Sequence, residues 1–154
     1  MFREMRRKDK QLGNTENQDL LKRAQTGYLS TICENGYPCS VPLNFVYYNN
    51  SIYFHSANEG QKIDNINNCD KVSFSTVCDI ENLPDKFDTN YKSVIIFGRA
   101  VEVFEKEKEE ALLEIIKKHS SDFVEKGKIY IEKSKGSTRV FKINIEYMTG
   151  KAQV

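Results

Sequence analysis

Apolar and polar residues alternate over several short stretches of this chain and follow helical spacing over only a few. The alternation begins at Tyr28-Leu29-Ser30-Thr31-Ile32-Cys33. Glu34-Asn35-Gly36-Tyr37 follows, and its Asn-Gly pair is a strong hairpin signal. The return strand runs from Pro38 to Tyr48. Pro42 lies inside it and cannot donate to a ladder, so the strand is predicted to be at an edge, bulged or kinked there. Asn49-Asn50 turns the chain into Ser51-Ile52-Tyr53-Phe54-His55. A short helix with Ile63 and Ile66 inward is expected over 60–68. The next strand, 70–78, places Val72, Phe74 and Thr76 on one face. The polar segment 79–90, with Pro84, reads as an irregular loop.

The longest strand is expected over 91–104. Val94–Phe97 is apolar on both faces, which predicts a central, buried position. Gly98 marks a bulge, a bend or a close approach. Residues 106–119 repeat as an amphipathic helix with Ala111, Leu112, Ile115 and Ile116 inside. Helical turns are expected over 121–135, a last strand over 138–148, and a tail over 149–154. At the other end, residues 1–13 form a polar arm. A helix over 16–26, capped by Asn14 or Thr15 and stopped by Gly27, leads into the first strand. Six strands with hairpin links and one helical excursion predict a mainly β fold with peripheral helices. The arrangement is a closed or nearly closed antiparallel barrel in one domain spanning residues 1–154.

Composition narrows the function classes. The chain has 154 residues, with 23 Lys+Arg against 22 Asp+Glu. So balanced a charge gives no overall field for nucleic acid or an anionic membrane. No apolar run approaches a membrane span and no secretory signal is evident. Cys33, Cys39, Cys69 and Cys78 form no C-x-x-C pair and only two histidines accompany them, so no metal site is expected. A cytoplasmic setting with reduced thiols is the expectation. No nucleophile elbow, P-loop or dinucleotide fingerprint occurs, and no catalytic acid or base stands out.

The candidate chemistry gathers at 52–64. There an apolar strand delivers His55, Ser56 and Ala57, and Gly60 and Lys62 follow at a helix start. A lysine in a first helical turn faces the positive end of the dipole, which an anion would offset. Backbone N–H groups, a hydroxyl, an imidazole and an ammonium within eight residues suit a phosphate. The same residues also fit an ordinary connection, with His55 satisfied by backbone and Lys62 pointing to water.

Val41-Pro42-Leu43, Ile52-Tyr53-Phe54-His55-Ser56-Ala57-x-x-Gly60-x-Lys62, Lys71-Val72-Ser73-Phe74 and Ser93–Ala100 together resemble the pyridoxamine-phosphate-oxidase-like flavoproteins. Met5-Arg6-Arg7-Lys8 and Tyr147-Met148-Thr149-Gly150-Lys151 resemble the 5-nitroimidazole-resistance (Nim) branch. The resemblance spans roughly residues 3–152 and implies a six-stranded, FMN-binding split barrel. It further implies a homodimer with FMN at the subunit interface. His55, Ser56, Ala57 and Lys62 would contact the phosphate. Pro42, Leu43 and Asn44 would offer backbone to the isoalloxazine, and Ser73 or Ser75 would add hydroxyls. Arg99, Lys151 and the 79–92 loop would lie on the partner's side of the site. The implied activity is FMN-dependent reduction of a small acceptor such as a nitroaromatic. The same superfamily also holds flavin- and haem-binding proteins, which leaves a non-catalytic role as the alternative. Many Nim-like sequences carry a second histidine in the Gly-x-Lys turn, where this chain has Gln61.

Overall fold

The computed structural model describes all 154 residues. Helix α1 (Asn14–Arg23) starts at Gly13, whose N–H is taken by the Glu16 carboxylate at 3.3 Å. It ends at Arg23, before the predicted stop, and Gly27 is a buried residue of the first strand. Strands β1 (Thr26–Ile32) and β2 (Pro38–Asn44) form the Asn-Gly hairpin. Strand β3 (Val46–Tyr48) turns through Asn49 and Asn50, both at positive φ, into β4 (Ser51–Ser56). Helix α2 (Gln61–Asn68) leads to β5 (Lys71–Leu83) and β6 (Asp88–Val103). Helices α3 (Glu105–His119) and α4 (Val124–Ser134) precede β7 (Arg139–Gln153).

All strands join one antiparallel sheet in the order β2-β1-β5-β6-β7-β4-β3. The strand count is seven, not the six expected. The stretch 38–48 breaks at Phe45, and its halves sit at opposite ends of the sheet. That break is also how the sheet curls into a barrel, because both edges belong to one piece of chain bent at a single residue. Phe45 points into the core, fully buried, with its ring edge-on to Phe74 at 4.8 Å.

Two further expectations change. The segment 79–90 is mostly paired, since β5 and β6 continue past a bulge at Cys78/Glu81 and turn at Pro84–Phe87. The tail 149–153 continues β7 along β6. In the run Val94–Phe97, only Val94 and Ile96 are buried, whereas Ile95 and Phe97 are 44% and 40% exposed. The predicted two-sided burial fails because this chain lays only the Phe2 ring against Phe97 there and leaves the rest of the outer face of β1, β5 and β6 uncovered.

The barrel interior is filled by alternate residues of every long strand, among them Leu29, Phe54, Phe74, Ile96 and Ile143, with Leu21 of α1 and Ile63 of α2 added. Each such side chain contributes about 1.5–3 kcal/mol by leaving water. A second cluster lies outside β4 and β7, where Ala111, Leu112 and Ile115 of α3 and Ile131 of α4 cover Tyr53, Val103 and Val140. The Tyr53 hydroxyl donates to Glu107 at 2.6 Å, and Lys142 reaches the same carboxylate at 3.0 Å.

The last turn of α3 is tied to the Phe45 corner. His119 Nε2 donates to the Phe45 carbonyl at 2.8 Å. Lys118 Nζ donates to the Leu21 carbonyl at 3.2 Å and stands 4.0 Å from the Phe45 ring centroid. Burial pushes the Lys118 ammonium down from its ordinary 10.5 to about 8. The folded value lies below the unfolded one, so between those values the unfolded chain binds more protons. The stability contributed by this group therefore rises with pH across that window. Lys118→Met removes the titration. The stability difference, wild type minus variant, should grow from about pH 8 to about pH 10.5, as read from urea midpoints.

Candidate functional site

The break at Phe45 creates a fork. Strand β3 pairs with β4 as far as Val46↔Tyr53. One and two residues further, Phe45 would face Phe54 and Asn44 would face His55. There the chain turns away, and β2 pairs with β1 instead. Residues 54–56 of β4 are paired with β7 on one side, Phe54↔Phe141 to Ser56↔Arg139, and unpaired on the other. The edges of β2 and β4 thus diverge from one apex. The start of α2 closes the far end, where the Gln61 amide donates to Cys33 Sγ at 3.4 Å and accepts from Cys39 Sγ at 3.9 Å.

The free edge of β2 has a fixed pattern. Cys33 N–H donates to the Tyr37 carbonyl. Counting along the register from that bonded pair, Cys39, Val41 and Leu43 bond to β1. Pro38, Ser40, Pro42 and Asn44 turn their backbone groups outward. Both prolines therefore occupy positions where no ladder donor is needed, which is why this strand tolerates them. The edge left open carries the N–H groups of Ser40 and Asn44 and the carbonyls of all four residues. Val41 and Leu43 side chains pack inward against the core.

The connection from β4 to α2 is rich in unspent donors. None of the N–H groups of residues 57–62 bonds within the chain. Gly60, at φ 152°, sets the entry to α2, and its carbonyl takes the N–H groups of Ile63 and Asp64. Lys62 is half-buried and pairs with no carboxylate. His55 is exposed at the strand end. Lost solvation, then the positive charges of Lys62 and His119, hold its imidazole below the ordinary value. Ser56 is buried and donates to the Ala57 carbonyl at 3.0 Å. The cluster is a set of N–H donors beside the unpaired Lys62 ammonium, with Glu59 the one acidic residue of the loop, and the donors with the ammonium fit an anion of phosphate size.

Pro42, Leu43, Asn44, His55, Ser56, Ala57 and Lys62 therefore surround one fork. Ser73 and Ser75 lie two strands from β2 on the outer face, Ser75 in register with Tyr28 and Pro42, Ser73 with Ser30 and Ser40. That row of three serines was not evident from the sequence, because register alone assembles it. Arg99 and Lys151 lie elsewhere. Arg99 is ion-paired with Asp70 at 2.7 Å and Glu146 at 3.6 Å. Lys151 pairs in register with Ser93 and donates to the Tyr91 hydroxyl.

Arg139 was missed altogether. It begins β7 opposite Ser56, donates to the Asn58 carbonyl at 3.1 Å and is bound by Glu102, 3.0 Å from its Nε. It fastens the donor-rich loop to the barrel. Nothing in the sequence marks it, since its partners are 81 and 37 residues away.

Residues 14–152 match the family model described as pyridoxamine 5'-phosphate oxidase. No curated protein matches the sequence. Among solved structures, a candidate 5-nitroimidazole antibiotic resistance protein from Bacteroides thetaiotaomicron shares 21% identity, with a TM-score of 0.73 over 92% of this chain and 86% of that one. Protein Rv2991 from Mycobacterium tuberculosis shares 18% identity, with a TM-score of 0.81 over 97% and 90%. An FAD-binding protein from Mycobacterium smegmatis shares 21% identity, with a TM-score of 0.64 over 94% and 99%. These likenesses show a common split-barrel fold. No helix is long and apolar enough to cross a membrane. The match over nearly the whole chain establishes that it belongs to the pyridoxamine 5'-phosphate oxidase family.

Proposed function

We propose that the chain is one FMN-binding unit, residues 1–13 being an arm, and that it reduces a small acceptor such as a nitroaromatic. The observation that carries this reading is the donor set at residues 57–62 beside the unpaired Lys62. One clamp of this size suits a single phosphate, which favours FMN. Of the expected contacts Pro42, Leu43 and Asn44, the open edge at Pro42 and Asn44 supplies two unpaired carbonyls and the Asn44 N–H for a flat polar ring, whereas the backbone of Leu43 is taken by β1. The family, the FAD-binding neighbour and the candidate 5-nitroimidazole resistance neighbour support a flavin and that class of acceptor. FMN, when bound, supplies reversible two-electron chemistry. Lys62 and the loop N–H groups bind the phosphate, and Arg139 keeps the loop in place. The exposed apolar side chains of Tyr28, Ile32, Val77 and Ile95 on the outer face of β1, β5 and β6 support a homodimer, with Arg99 and Lys151 serving the partner's side of the site. Four unpaired cysteines suit the cytoplasm.

The visible spectrum of the purified protein tests the reading. Flavin bands are the expected result. A Soret band would make the protein a haem carrier instead, and a colourless protein that takes up neither group would sink both readings. Reoxidation of the reduced, flavin-loaded protein by a nitroaromatic tests turnover. Its absence would leave a non-catalytic flavin carrier.

His55 supplies a second check. A phosphate placed beside it favours the imidazolium, so bound FMN should raise its pKa from the depressed value of the free protein. Between the two values binding takes up a proton, and affinity rises as pH falls. NMR titration of the His55 ring protons with and without FMN reads this directly. An unchanged midpoint would place the phosphate elsewhere.

A further inference from the structure

The first residues of the chain lie against the outer face of the sheet at β6 and β7. The Phe2 ring is parallel to Tyr147, with centroids 5.1 Å apart, and lies 5.5 Å from Phe97 at 24°. Phe97 and Tyr147 are cross-strand neighbours in β6 and β7 and share a row with Ser73. Beside them is a cavity of about 360 Å³ that Lys71, Arg99 and Glu146 also line. Arg99 is held by Asp70 and Glu146, whereas Lys71 has no carboxylate partner, so Lys71 is the unpaired basic side chain of this cavity, which Met1 also lines.

The segment that carries Phe2 is lightly attached. Residues 1–6 make one hydrogen bond, from Lys8 to Glu4, and none to the sheet. The chain is fastened further on, where Leu12 N–H donates to Gly150 at 2.9 Å, Gln11 bridges to Lys151 and Lys10 donates to Gln153. It is a strap fixed at residues 10–12 that carries an aromatic ring at Phe2. That ring shows what the groove accepts: a flat π-system stacked on Phe97 and Tyr147.

We propose that Phe97, Tyr147 and Lys71 form a subsite for a planar aromatic anion, which the Phe2 strap occupies until the ligand displaces it. The inference deepens the proposed function, resting on it for the view that the acceptor is an aromatic ring. Stacking recognises the ring, and the Lys71 ammonium recognises a carboxylate at its rim. The strap and the ligand compete for one surface, so apparent affinity is reduced by the fraction of molecules with the strap open.

Calorimetric titration of the full-length protein, as purified, with 4-nitrobenzoate and with uncharged nitrobenzene tests this. Phe2→Ser should tighten both ligands about tenfold by freeing the groove. Phe97→Ser should weaken both about tenfold, and its partial exposure allows the change without loss of fold. Lys71→Gln should weaken 4-nitrobenzoate and leave nitrobenzene unaltered. Unchanged affinity in Phe2→Ser overturns the strap, and unchanged affinity in Phe97→Ser overturns the subsite. The visible spectrum of the same samples separates the two readings. Flavin-loaded protein that binds neither ring overturns this inference alone. Protein without flavin that still shows strap-dependent binding upholds it and overturns the proposed function.

Discussion

Gly98→Ala should destabilise the protein by about 2–3 kcal/mol, the upper range for forcing extra volume into a packed site. The cause is local and geometric. Phe97 pairs with Tyr147, yet Gly98 pairs with Ile145, so β7 carries one extra residue, Glu146, at this point. The bulge presses the Asn144 carbonyl onto β6. A Cβ on Gly98 would lie 2.2 Å from that oxygen and 3.0 Å from the Asn144 carbonyl carbon. Backbone cannot rotate aside as a flexible side chain can, so the two central strands must separate. Gly136→Ala is the matched control, since nothing lies within 4 Å of a Cβ there. Urea unfolding should show a lower midpoint for Gly98→Ala at an unchanged slope, and a near wild-type midpoint for Gly136→Ala. Equal midpoints for the two variants would refute the close approach as the reason for glycine.

Gly98 also shows how far local pattern reaches. The glycine interrupting a β-branched strand signalled a bulge or a close approach, and both are present. The same logic located the hairpin at Asn35-Gly36, the turn at Asn49-Asn50 and the inward set Val72, Phe74 and Thr76. It failed where solvent reaches both faces or neither is covered. Between Asp79 and Asn90 the β5–β6 ribbon is polar on both sides, with Ile80 and Phe87 exposed, so no period-two signal marks it as strand. At Ile95 and Phe97 an apolar pair implied burial that this chain alone does not provide.

The fork was legible only in pieces. Pro42 indicated an edge strand, and Gly60 with Lys62 indicated an anion-capable helix start. That these two face each other follows from the break at Phe45, which sends β2 and β3 to opposite ends of the sheet. No local spacing encodes that turn. The partners of the corner are remote as well: His119 fixes the Phe45 carbonyl from 74 residues away, and Arg139 holds the Asn58 carbonyl. Electrostatic and backbone features of the fork were thus visible residue by residue, while their convergence is a property of topology.

Lys62→Ala should weaken FMN binding by about 1.5–3 kcal/mol, the range for a hydrogen bond to a charged group. That is roughly a tenfold to hundredfold rise in Kd. The fold should be untouched, because Lys62 makes no ion pair or side-chain hydrogen bond within the chain, and Ala is a better helix former at an early position of α2. Removing an ammonium from the positive end of a helix dipole even favours the apo protein slightly. Stability and affinity should therefore move in opposite directions. Lys62→Arg should keep most of the affinity, since the charge remains. Riboflavin, which lacks the phosphate, should bind wild type and Lys62→Ala equally weakly. Quenching of flavin fluorescence on titration gives each Kd, and thermal unfolding without ligand gives the stability. An FMN Kd left unchanged by Lys62→Ala would show that the phosphate does not sit at the start of α2. A loss shared equally by riboflavin would move Lys62 from the phosphate to the ring.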